Sequence, residues 1–275
     1  MPLNFLNATR TLGARQRKWY RDIPHQAFSS IPPATTSPIC PSQMEKHTRP
    51  PAPFPPVQRL SPRRPDWSPW HNMADSIERD LHEGGLRAWG FVIYRCTYQS
   101  NTAWIEFMRR LLANTKDTLE GSCGLDLLDN LALTVIEDSG CLDGATTAVI
   151  RQHFQQWVAT AEQEEPDTPS PRVQLSQRYR YCLQITQDVL DSVLIDEEKG
   201  GIVRHIRRDW EEYDPYDHGE RIEDEEEAIE GCTLENVGWM KVPFDGVMVY
   251  PWYYLRGGGW ATEYRRPPEI AFSYC

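Results

Sequence analysis

Residues 89–98 read WGFVIYRCTY and run almost directly into 101–120, where apolar side chains recur every three or four positions. The ten-residue run is apolar at odd and even positions alike, so a strand there buries both faces and belongs near the middle of a sheet. In the stretch that follows, Trp104, Phe107, Met108, Leu111, Leu112, Thr115 and Leu119 form one stripe, and Asn101 or Thr102 stands where a cap is needed. A central strand feeding a one-sided helix commits the chain to layers of helix on sheet.

The rest of the chain extends that pattern. Residues 131–138 (LALTVIED) read as a second strand, with turns at Gly140 and Gly144. A helix starts at Thr146 or Thr147, carries Val149, Ile150, Phe154, Trp157 and Val158 on one face, and is ended by Pro166, Pro169 and Pro171. Residues 178–185 alternate: Tyr179, Tyr181, Leu183 and Ile185 point one way and Arg178, Arg180, Cys182 and Gln184 the other. A short helix over 187–195, a Gly200-Gly201 turn and a strand over 202–210 follow. Residues 238–242 and 247–250 read as short strands, 250–254 as one helical turn, and 257–259 as a flexible glycine run. Two β-α-β units in series predict an α+β fold: a split β-α-β, ferredoxin-like sandwich with helices on one face, an extra helix and an aromatic C-terminal segment. An open α/β sheet is the alternative.

Charge divides the chain in two. Of 29 Lys/Arg and 40 Asp/Glu, ten and three precede Met73, so 19 face 37 in the remainder, a balance of −18. The first part also holds 14 of the 22 prolines. Proline removes backbone donors and locks φ, so residues 1–72 are expected to be a disordered basic leader and 73–275 a single acidic domain. Pro50, Pro53 and Pro56 give PxxP spacing in a polyproline II stretch, most simply a stiff spacer. Residues 1–21 carry five Lys/Arg and no acid, which suits a mitochondrial transit peptide; a start at Met73 is the competing explanation.

Composition and motif exclude several chemistries. An acidic domain repels phosphate backbones, which argues against nucleic acid. No apolar run reaches the roughly 18–20 residues of a membrane span. The seven cysteines are odd in number and scattered, so reduced thiols in a cytoplasmic or nuclear protein are expected rather than a disulfide framework. GxGxxG, GxxxxGK[ST], HExxH and GxSxG are all missing, so no cofactor, metal or hydrolase motif is expected. Glu137-Asp138 at a strand end reads as turn capping, and His205 as a structural histidine. Residues 211–230 hold 11 Asp/Glu against Arg221, a solvated run or a docking surface for a basic protein.

One composite remains. In the predicted sandwich Arg178, Arg180, His205 and Arg207 project from one open sheet face, joined by Arg95 if the first strand turns that way. Arg95, Arg180, His205 and Arg207 are therefore the candidate ligand-binding residues, for a carboxylate or phosphate that arginine grips bidentately. The competing reading folds the aromatic segment over that face, with Trp239, Trp252 and Trp260 among the covering rings.

The pieces WGFVIYRCTY, VIEDSGCLDGATTAVIRQHFQQW, RRDWEEYDP, GCTLENVGWMKV and RRPPEI, in that order across residues 89–270, resemble a family of uncharacterised ascomycete fungal proteins. The resemblance implies a source and domain boundaries, and transfers no activity. The sequence points first to a non-catalytic intracellular interaction or regulatory module. The alternative is a small-molecule enzyme or anion-binding protein using the basic sheet face.

Overall fold

The computed structural model describes residues 72–164, 176–195, 200–211 and 227–272. All belong to one compact unit, Pro38–Cys275; the other, Met1–Ser37, lies outside the described residues. So do the transit-peptide and polyproline expectations, the helix-ending prolines and most of the acidic run.

The helices are α1 (Met73–Gly84), α2 (Asn101–Gly121), α3 (Ser139–Leu142), α4 (Thr147–Glu164), α5 (Gln177–Arg180), α6 (Gln187–Leu194), α7 (Tyr250–Tyr254) and α8 (Trp260–Glu263). The strands are β1 (Val92–Arg95), β2 (Val135–Glu137), β3 (Tyr181–Ile185), β4 (Ile202–Arg207) and β5 (Trp239–Pro243), in the spatial order β2-β1-β3-β4-β5. The fold is α+β. The split β-α-β expectation differs from it first in the pairing: β1 runs parallel to both β2 and β3, and antiparallel pairing begins only at β4.

The order explains the layers. From β1 the chain moves outward to β2 through α2, then back across β1 to β3 through α4. Parallel crossovers are almost always right-handed, so two that run in opposite directions place their helices on opposite faces. Packing agrees. On one face Tyr94 meets Phe154 of α4, rings 6.4 Å apart; on the other, Arg95 lies over Trp104 of α2 at 5.0 Å. Helices cover both sides of the sheet, not one. All four residues of β1 are buried, as its two-sided apolar run requires.

Local signals explain the ends. Ser100, not Asn101 or Thr102, caps α2, its side chain accepting from the Ala103 backbone N–H. Of the predicted stripe on α4, Ile150, Phe154 and Val158 reach the core, Trp157 is half-buried and Val149 is exposed. Residues 247–249 are buried but form a turn rather than a strand. Asn114 of α2 holds that turn: its Oδ1 accepts from Gly246 N at 2.7 Å and its Nδ2 donates to Asp245 at 2.9 Å.

Arg178 was expected on a strand. It lies instead in α5, 2 % exposed, donating to the carbonyls of Gly90 (3.0 Å) and Ala132 (3.4 Å) and to Thr134 Oγ1 (2.7 Å). It therefore ties the chain before β3 to the segments flanking β1 and β2. Arg178→Met strands two buried carbonyls and the half-buried Thr134 hydroxyl, and is expected to cost about 3 kcal/mol. For a unit of this size that is roughly 6–12 °C in Tm. An unchanged melting curve refutes the tie.

Candidate functional site

The register of β3 and β4 decides which candidates meet. Leu183 pairs with His205 and Tyr181 with Arg207, so His205 and Arg207 share the face of Tyr181, Leu183 and Ile185. The sequence reading placed His205 with Arg178 and Arg180. It extended the strand back to 178, whereas α5 occupies 177–180 and the strand begins at Tyr181.

Arg180 nevertheless reaches the same place by a different route. Its guanidinium carbon lies 5.4 Å from the centre of the Tyr181 ring. Tyr181 is thus the hub: Arg180 beside it, Arg207 opposite across the ladder, the His205 ring 5.3 Å away, and Trp260 stacked on it at 5.5 Å and 11°. Phe91 meets His205 edge-on at 4.7 Å, and Trp252 meets Phe91 at 5.6 Å.

Arg95 does not join them. It pairs with Ile185, at the opposite end of β3 from Tyr181. Its guanidinium is spent there on the Thr97 carbonyl (2.9 Å), Asn101 Oδ1 (2.6 Å), Glu137 (3.5 Å) and the rings of Tyr98 and Trp104. The arrangement is a clamp joining the ends of β1 and β2. Glu137 serves that clamp, and Asp138 caps α3 by accepting from Gly140 N and Cys141 N.

The predicted open face is therefore roofed by Trp252 and Trp260 of the C-terminal segment, 0 % and 3 % exposed. The roof closes over polar atoms that it does not satisfy. Tyr181 Oη, both ring nitrogens of His205, Trp260 Nε1 and Arg207 Nε are sealed from solvent and have no hydrogen-bond partner among the described residues. Each such atom costs about 1–3 kcal/mol. Arg180 and Arg207 are half-buried, and among the described residues neither forms an ion pair.

Electrostatics follow burial. His205 is held neutral, its pKa pushed down to about 3, because burial strips an imidazolium of its water. Burial raises the Tyr181 hydroxyl, while the Arg180 and Arg207 charges pull it back. The roof is anchored at its far end by Asp80 of α1. That carboxylate accepts from Trp252 Nε1 at 3.1 Å and pairs with Arg256 at 2.7 Å. Burial lifts the Asp80 pKa to about 6 despite Arg256.

Between the anchor and Trp260 the chain passes through Gly257 and Gly258, both at positive φ (56° and 95°), a conformation natural to glycine. After α8, Tyr264 fixes the segment again, donating to the Glu235 carbonyl at 2.9 Å and accepting from Val237 N at 3.0 Å. Trp260 therefore sits on a short flap tied at both ends. The sequence reading missed Tyr181 as the hub; its placement directly opposite Arg207 depended on a register that periodicity does not give.

On the other face the titratable groups are buried or engaged. Cys182 and Cys96 are sealed, the Cys96 thiol pushed up to about 12 by burial. Glu230, at the end of the acidic run, accepts from Thr147 N at 3.1 Å and so caps α4, while its other oxygen pairs with Arg204 at 3.5 Å. Among the described residues no group of three or more His, Cys, Asp or Glu side chains is placed to hold a metal ion. No helix among them is long and apolar enough to cross a membrane.

No family model, curated protein or solved structure matches the chain.

Proposed function

We propose that the chain binds a small anion at the Arg180–Arg207 edge of the roofed face. The observation that carries this is the set of five buried polar atoms, unpartnered among the described residues, beside two guanidinium groups that form no ion pair among those residues, all gathered around Tyr181. Four of those side chains donate through N–H or O–H, and arginine presents a fork that matches carboxylate and phosphate geometry. An oxyanion entering at the edge accepts from the arginines and neutralises their charge, reversing the cost of leaving Arg207 unpaired.

The test is a thermal-shift titration at constant ionic strength with sodium chloride, acetate and phosphate. At a hundred times its Kd an anion adds about 2.7 kcal/mol. That corresponds to a rise of roughly 5–10 °C. Arg180→Gln with Arg207→Gln is expected to remove the rise while keeping a cooperative melt. An equal rise in the double variant places the anion elsewhere and refutes the assignment.

A second reading keeps the acidic exterior as a docking surface for a basic protein. Its support is the balance of −18 after residue 72, with 11 Asp/Glu in 211–230. Residues 212–226 lie outside the described residues. Binding to a lysine-rich peptide that weakens steeply between 50 and 200 mM salt would favour it.

A further inference from the structure

We infer that the ligand is an aromatic carboxylate which displaces Trp260 and takes its place on the Tyr181 ring; the inference rests on the anion reading above. The site changes character along its length. Its half-buried edge carries Arg180 and Arg207, whereas the interior is aromatic: Phe91, Tyr181 and Trp260, 0 %, 0 % and 3 % exposed. A bare inorganic anion satisfies only the edge. A planar body with a carboxylate at one end matches both halves, the carboxylate on the guanidinium groups and the ring on Tyr181.

Trp260 already shows that geometry. Its indole stacks on Tyr181 at 5.5 Å and 11°, yet its Nε1–H finds no acceptor and lies sealed from solvent. The indole is thus held by stacking at the expense of its polar atom. The unpartnered atoms have no exposed surface in the closed arrangement, so an entering molecule must move the roof. The part best able to move is the four-residue α8, entered through Gly257 and Gly258. The anchors on either side, Asp80 with Arg256 and Tyr264 with Glu235, stay in place while it swings.

Competition between ligand and indole gives a signature that a merely structural tryptophan lacks. Removing the indole frees the stacking place, so binding strengthens rather than weakens. The experiment titrates the full chain with indole-3-carboxylate, benzoate, neutral indole and inorganic phosphate by calorimetry, repeats the titrations with Trp260→Ala, and follows tryptophan quenching by iodide. The expected result is that both carboxylates bind the wild type, expose one further tryptophan to iodide, and bind Trp260→Ala at least tenfold tighter. Neutral indole binds at least tenfold more weakly than indole-3-carboxylate. If Trp260→Ala does not fold, Trp260→Leu serves in its place, and the rise in quenching of the wild type stands as an independent readout.

Each contrary result has its own meaning. Phosphate binding without aromatic carboxylate binding overturns the ligand class and spares the anion site. Carboxylate binding that weakens in the Trp260 variants, or leaves quenching unchanged, overturns the displacement. No binding by any anion overturns the anion reading, and this inference with it.

Discussion

His205→Leu is expected to gain about 2 kcal/mol of stability relative to the wild type as the pH falls from 6.5 to 4.5. The sign follows from the two states. In the unfolded chain the imidazole takes up a proton near its usual 6.5; in the folded chain burial holds it neutral down to about 3. Well above pH 6.5 neither state is protonated and the histidine carries no pH-linked penalty. Below it the unfolded state gains protons that the folded state refuses, and stability is lost by up to about 1.4 kcal/mol per pH unit. Leucine cannot titrate, so the difference between the two proteins isolates this one residue.

Asp80 works in the opposite direction. Its folded pKa of about 6 lies above the ordinary 3.8, so the folded chain binds a proton first and gains stability between pH 6 and 4. Wild-type stability is therefore flatter in weak acid than His205 alone dictates, and Asp80→Asn is expected to steepen the loss. Urea unfolding at half-unit pH steps reads both effects. A wild-type-to-His205→Leu difference that stays constant with pH would mean that the folded imidazole is protonated like a free one and is not sealed.

Trp252→Ala carries the second large effect. The side chain is fully buried, meets Trp89 edge-on at 6.0 Å and Phe91 at 5.6 Å, and donates its Nε1–H to Asp80. Truncation leaves a cavity beside Trp89 and Phe91 and takes a hydrogen bond from a poorly solvated carboxylate. The expected cost is 3–5 kcal/mol. For a unit of this size that lowers Tm by roughly 6–20 °C. Trp252→Phe keeps most of the ring and loses the donor, and is expected to cost about 1–2 kcal/mol. Equal losses from both variants would show that the Asp80 bond, rather than the packing, holds the roof down.

What the sequence revealed, and where it stopped, follows from which interactions are local. The helix over 101–120 announces itself because Trp104, Phe107, Leu111 and Leu119 repeat with the helical period, and all four are buried on α2. β1 is legible because both of its faces are apolar, and both faces are covered. The α+β class follows from the alternation of such segments. Sheet order does not, since β1 with two parallel neighbours is a consequence of where the crossovers return, and no single segment encodes that.

The site shows the same boundary at finer scale. Three of the four candidates, Arg180, His205 and Arg207, do surround one ring, but not as a row on a strand. The helical turn at 177–180 removed Arg180 from the ladder and the β3–β4 register put His205 on the other face. Arg95 was separated by the length of β3. The roof was legible only as a possibility: the sequence showed tryptophans in plenty near the C-terminus, but not that the glycines before Trp260 would bring its indole down on Tyr181.

Arg207 Nε offers the most direct view of the site, because it is both buried and unpartnered in the closed arrangement. Its Nε–Hε signal in a spectrum of arginine-labelled protein, assigned with Arg207→Lys, is expected to move downfield in saturable fashion as indole-3-carboxylate or acetate is added, and to stay fixed with chloride at the same ionic strength. An Arg207 signal that does not respond to any carboxylate, while the protein remains folded, contradicts the account of an anion held at the Arg180–Arg207 edge.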